Sequence, residues 1–181
     1  MRKILPIIFL FLLVTCKSKN KKTAPPQESS ILINNKIDRN FHFKVIMDVV
    51  VKKDDKFHLF YKDLNTNEYS PDRVLEKSIK GSEKIQTIIF SIPEQVIPSG
   101  LRIDFGTNYS QESITLKNLK IRYDNKEFHF NENKFEQLFR PNKFVVYDEN
   151  TKLITTKPVQ EQYDPNFVSI NLEDIVFSML D

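Results

Sequence analysis

The chain has one cysteine, three glycines and no tryptophan in 181 residues. The lone thiol, Cys16, lies near the start, so everything after it is free of disulfides, cysteine metal sites and cysteine nucleophiles. Gly81, Gly100 and Gly106 each sit beside a turn signal, and they are too scattered to form a glycine-rich phosphate loop. No G-x-S-x-G, H-x-H or H-E-x-x-H pattern occurs, and no carboxylates pair at a telling spacing. These absences point to a chain that does not catalyse. Long apolar runs are also missing. The longest, Ile4 to Val14, reaches about 16 Å as a helix, roughly half the hydrocarbon core of a bilayer, so it cannot serve as a permanent span.

What that run does offer is a sequence of parts. Arg2 and Lys3 precede it, only Pro6 interrupts it, and it ends Leu13-Val14-Thr15-Cys16. A charged start, a short greasy stretch and a boundary match a secretory leader. The boundary resembles the lipobox of bacterial lipoproteins, with Thr15 where glycine, alanine or serine is more usual. The resemblance implies that residues 1–15 are cut away and that Cys16 becomes a diacylated first residue. About 30 buried methylenes at about 0.8 kcal/mol each make such an anchor worth about 24 kcal/mol, which is effectively permanent. An ordinary leader followed by a chance cysteine is the alternative. Residues 17–30, KSKNKKTAPPQESS, contain no large apolar side chain and read as a flexible tether with a stiff kink at Pro25-Pro26. Lys17, Lys19, Lys21 and Lys22 either touch acidic headgroups or form a solvated spacer. The basic tether argues against export to the cell surface. Neither Lys17 nor Ser18 resembles an inner-membrane retention aspartate. The expected location is therefore the cell envelope, facing the periplasm, on the outer rather than the inner membrane.

The net charge of +3 and the sequence pI near 8.8 invite a nucleic-acid reading. The distribution removes it. Residues 31–181 hold 21 basic and 23 acidic residues, a net charge of −2. The basic excess lies in the leader and tether, and no basic stripe for phosphates remains in the body of the chain.

Residues 31–181 suffice for one domain with its own core. In FHFKVIMDVVV (41–51) the odd positions are apolar and the even ones include His42, Lys44 and Asp48, a strand pattern. KFHLFYK (56–62) sets Phe57, Leu59 and Tyr61 against His58 and Phe60. EKIQTIIFSIP (83–93) is a strand stopped by Pro93, and LRIDFG (101–106) alternates until Gly106. In SITLKNLKIRY (113–123) the apolar parity flips between Leu116 and Leu119, which calls for a bulge near Lys117-Asn118. KFVVYDENTKLITT (143–156) reads as two strands about Asp148–Thr151, and NFVSINL (166–172) closes the set. NENKFEQLF (131–139), with Asn131 as cap, and SPDRVLEKSI, with Pro71 in the first turn, read as short helices. LEDIVFSML is ambiguous. So many short strands predict an all-β antiparallel sandwich with one or two short helices.

The run FHLFYKD, VLEKSIKGSEKIQTIIFSIP, GLRIDFGTNYSQESITLKNLKIRY and QYDPNFVSI resembles jelly-roll domains of the galactose-binding or carbohydrate-binding-module type. It includes an Arg-x-Asp at the end of a strand and an Asp-Pro-aromatic stretch at Asp164–Phe167. The resemblance spans about 110 residues and implies a binding domain for envelope glycan. Arg102 and Asp104 share one strand face about 7 Å apart and can bond a pair of sugar hydroxyls, with Tyr109 or Tyr61 as an apolar platform. Equally, they can form a cross-strand ion pair and a turn-stabilising aspartate, the commoner use of such residues. The missing tryptophan weakens the sugar reading. Asp54-Asp55 reads as a hairpin turn rather than a calcium site. His42 and His58 would bind zinc only if their strands were neighbours, and ordinary surface histidines are the default. No cofactor is implied. The expected partners are membrane lipid through Cys16 and envelope glycan. The competing expectation is a structural or assembly lipoprotein that binds another envelope protein through a sheet edge or face.

Overall fold

A computed structural model describes residues 42–111, 113–131 and 135–181. The leader 1–15, Cys16, the tether and residues 31–41 lie outside the described residues. The domain is a sandwich of two antiparallel sheets. Sheet A runs β4 (Ser82–Ser91), β1 (Phe43–Val51), β6 (Ser113–Tyr123), β10 (Leu153–Thr156), β9 (Val145–Asp148), with β7 (Lys126–His129) also pairing β6. Sheet B runs β3 (Val74–Ile79), β2 (Asp55–Asp63), β5 (Pro98–Asp104), β11 (Asn166–Ser169), β8 (Phe139–Pro141). From β1 to β6 the chain passes back and forth between the sheets, staying in one sheet only for the β2–β3 hairpin. This winding gives each sheet its non-consecutive order. Among the described residues no helix is long and apolar enough to cross a membrane.

Alternation builds the core. Phe43, Val45, Met47, Val49 and Val51 of β1 are fully buried, as are Phe57 and Leu59 of β2 and Leu101 and Ile103 of β5. Side chains of successive strand residues point to opposite faces, so each odd-numbered set lines the interior. Aromatic rings close the gap between sheets: Tyr147 of β9 meets Phe167 of β11 edge-on at 5.7 Å between centroids, and Phe167 also meets Phe105 at 5.3 Å. Such perpendicular pairs add to area burial because each positive ring edge meets a negative face. The bulge expected in β6 is present. Asp48 pairs Asn118 and Val49 pairs Leu116, so Lys117 is the extra residue and both apolar sets face inward.

Three local expectations are corrected. Residues 70–79 do not start a helix, because Val74–Ile79 forms β3 and pairs with β2 along Phe60↔Val74 to Asp55↔Ile79. Sheet pairing overrides a proline placed as at a helix start. Asp54-Asp55 is a corner between sheets, not a hairpin, since β1 and β2 belong to different sheets. Asn131 turns its Oδ1 to the Leu119 N–H at 2.6 Å. The helix expected over 131–139 is a single turn, α1 (Phe135–Leu138), and Phe139 already opens β8. The ambiguous C-terminus is α2 (Leu172–Leu180), which buries Leu172, Ile175, Val176 and Met179 at helical spacing.

Candidate ligand-binding face

Because the odd residues of β2 point inward, Lys56, His58, Phe60 and Lys62 project from the outer face of sheet B. Strand register adds neighbours to each. His58 lies between Glu76 and Asp104, and Phe60 between Val74 and Arg102, with Asn166 and Val168 beyond. The face is thus a polar rung beside a mixed aromatic and basic rung.

Arg102 is the hub. Its Nε and a terminal nitrogen donate to the two Asp104 carboxylate oxygens at 2.7 and 2.9 Å. The same terminal nitrogen donates to Asp164 Oδ1 at 2.5 Å, and the guanidinium lies 5.2 Å from the Phe60 ring centroid. Two-point bonding fixes the plane of the guanidinium, and the ring attracts its charge. Burial lifts the Asp104 carboxyl above the usual aspartate range despite the Arg102 bonds, and the Asp164 charge adds to that lift. His58 Nε2 lies 3.1 Å from Glu76, whose carboxyl is held low first by Lys56 and then by His58.

Toward α2 the face deepens. One cavity of about 510 Å³ is lined by Arg140, Val168, Ser169 and Asn171 among others. A second, of about 300 Å³, shares Val168, Ser169 and Asn171 and is walled by Lys62 and Tyr69. Gly100 forms part of its floor. A Cβ there would come 2.6 Å from Lys62 Cε and 3.0 Å from the Tyr69 hydroxyl, so a larger residue would displace the end of the Lys62 side chain from its place across β5. Lys62 Nζ sits 5.2 Å from the Tyr69 centroid. Burial raises the Tyr69 phenol pKa, opposed by Ser169 and Arg102. Tyr69, Phe60 and Asp164 are not among the site residues the sequence suggested; Phe60 entered only in the strand pattern and Asp164 only as the start of the Asp-Pro-aromatic stretch. Even parity with His58 was the signal available for Phe60, whereas Tyr69 and Asp164 arrive on loops.

At the opposite end, Asp55 is 8% exposed and accepts from the backbone N–H groups of Lys56, Thr107 and Asn108. Its Oδ1 serves all three donors and shapes the loop after β5. Tyr109 stands on that loop, 63% exposed, with its ring 4.6 Å from that of Tyr163. Tyr163 immediately precedes Asp164, so one short segment carries both a member of the tyrosine pair and a partner of Arg102.

Of the residues singled out from sequence, Arg102 and Asp104 are in direct contact, along one strand rather than across two. Asp104 serves Arg102 instead of stabilising a turn. Tyr109 is exposed, paired with Tyr163. Tyr61 is 7% exposed and belongs to the core, so it cannot be a platform. Its parity with Phe57 and Leu59 sends it inward, and Phe60 occupies the place beside Arg102. His42 and His58 do not lie on neighbouring strands, and His42 precedes β1 in the other sheet. Among the described residues no three His, Cys, Asp or Glu side chains gather to hold a metal ion. Fold and face together define an all-β sandwich with a polar and aromatic outer sheet surface. Compared with protein-family models, curated proteins and solved structures, the chain matches none.

Proposed function

We propose that this chain is a lipid-anchored module of the bacterial cell envelope, held to the membrane through acylated Cys16, whose sandwich binds envelope glycan without catalysis through the outer face of sheet B. The observation that carries the glycan reading is the Phe60–Arg102–Asp104–Asp164 cluster. An aromatic ring gives a sugar an apolar face to lie on, and a fixed guanidinium with flanking carboxylates gives its hydroxyls donors and acceptors. The adjoining cavity lined by Val168, Ser169 and Asn171 extends the surface available to a chain of sugars. The single thiol after a short apolar run supports the anchor.

The test is retention of the full chain on immobilised peptidoglycan and on neutral polysaccharide. Wild type is compared with R102A, F60A and Y109A, with far-ultraviolet circular dichroism to confirm folding. Retention lost at least tenfold in folded F60A and R102A supports the reading. Unchanged retention in both, or no retention of wild type on either matrix, removes it. C16S tests the anchor separately: incorporation of labelled palmitate and detergent-phase partitioning should both disappear.

A further inference from the structure

We infer that the free edge of β4 pairs with β4 of a second copy of this chain, in antiparallel register centred on Thr87, joining two sheets A into one continuous sheet. This inference is independent of the glycan reading, which concerns the other sheet.

Among the described residues β4 pairs only with β1, so its far side is an open edge of sheet A. It is ten residues long, and Ile85 to Ser91 contains no charge and no proline. Open edges are ordinarily blunted by charge, proline or brevity. The edges of sheet B follow that rule: β3 carries Glu76 and Lys77, and β8 has three residues including Arg140 and Pro141. At the other end of sheet A, β9 has only four residues. β4 keeps its charges, Glu83 and Lys84, at its N-terminal end, so the stretch from Ile85 to Ser91 lacks these protections and adds two exposed isoleucines, Ile85 at 60% and Ile89 at 42%.

Backbone polarity narrows the register to odd residues against odd, and the isoleucines choose within it. The Ile92 N–H donates to the Phe43 carbonyl at 2.9 Å, so residues 92, 90, 88 and 86 turn their N–H and C=O groups toward β1. Residues 85, 87, 89 and 91 therefore turn theirs to the open edge. Their side chains share the outer face of sheet A, where Ile89 pairs Ile46 and Thr87 donates to Asp48 at 2.7 Å. An antiparallel copy centred on Thr87 sets Thr87 against Thr87, Ile85 against Ile89 and Ile89 against Ile85. All three are hydrogen-bonded pairs built from residues whose backbone groups are free. The strand is thus self-complementary in both hydrogen bonding and side chains. The cross-strand isoleucine contacts fall twice, as two-fold symmetry requires. The exposed Ile85 and Ile89 meet each other in this register with no charge between them, and that match argues for a second copy.

The test is disulfide trapping in the full chain carrying C16S, so that each introduced thiol is the sole one. Paired Cα atoms in this register are about 5.5 Å apart, inside the roughly 4.4–6.8 Å range a disulfide accepts. T87C should form a covalent dimer on oxidation. I85C and I89C should each do so at least tenfold less efficiently alone, because four residues separate each from its own copy. Mixing I85C with I89C should restore cross-linking. Equal cross-linking at all three positions, or failure of both T87C and the mixture, overturns the register. Sedimentation of the wild-type chain against I89K supplies a second reading. Dissociation that becomes at least tenfold easier in I89K, with an unchanged far-ultraviolet circular dichroism spectrum, supports the pairing. A wild-type monomer, or a dimer indifferent to I89K, overturns it.

Discussion

The replacement G106A tests how the loop after β5 is held. Gly106 has φ +88, and a Cβ built on it would lie 2.2 Å from Asp55 Oδ2. Two costs follow. The backbone conformation costs an L-residue about 1–2 kcal/mol. The clash also pushes away a carboxylate that accepts from Lys56 N at 2.8 Å, Thr107 N at 2.8 Å and Asn108 N at 3.2 Å. Each hydrogen bond to a charged group is worth roughly 1.5–3 kcal/mol, so loss of one brings the total to about 3–5 kcal/mol. D55A removes the same bonds and also the obstacle. The double variant should therefore cost only about 1–2 kcal/mol more than D55A alone, a coupling of about 2 kcal/mol measurable by urea unfolding in a double-mutant cycle. If G106A costs less than about 1 kcal/mol, or if the two changes simply add, the carboxylate is not what requires glycine there.

Three further outcomes follow from other sites. Lys120 and Arg122 hold the Glu127 carboxyl down to about 2 from 4.5. A depressed folded value means that the stabilisation is complete above the unfolded value and is lost as pH falls from about 4.5 toward 2. The stability gap between wild type and E127Q should close over that window. Asp104 has the opposite sign: its raised carboxyl makes the fold lose stability as pH rises from the unfolded value through the folded one. Carboxyl NMR should find its midpoint above that of an ordinary aspartate, and R102A should move it higher still. Deleting Lys117 removes the bulge and leaves every apolar residue of β6 facing inward. Deleting Lys120 instead turns Leu119 out and Asn118 in, so in urea titrations it should cost more than the Lys117 deletion by about 3 kcal/mol.

The contrast between those two deletions shows which part of the fold was legible in the chain. Inside-outside parity is a local property, readable wherever both faces of a strand differ, so β1, β2, β5 and even the extra residue of β6 could be located from their own side chains. The β9–β10 hairpin was readable for the same reason, since its turn and both strands lie within one short segment. Partnership is not local. Nothing between Val51 and Asp55 states whether the chain doubles back to pair or crosses to the opposite sheet, and the expectation of a hairpin failed there. Residues 70–79 failed likewise, because Pro71 is a local helix signal whereas the pairing of Val74–Ile79 with β2 is a tertiary one. The candidate site divides along the same line. Arg102 and Asp104 were visible because they are two residues apart on one strand. Phe60, Tyr69 and Asp164 come from a neighbouring strand and two loops, and only the β2–β5 register and the path of the segment before β11 bring them to the same guanidinium and groove. A sandwich of this winding therefore hides its outer-face chemistry more thoroughly than its core. The core is specified by a repeating pattern, whereas a site on the face is specified by which strands become neighbours.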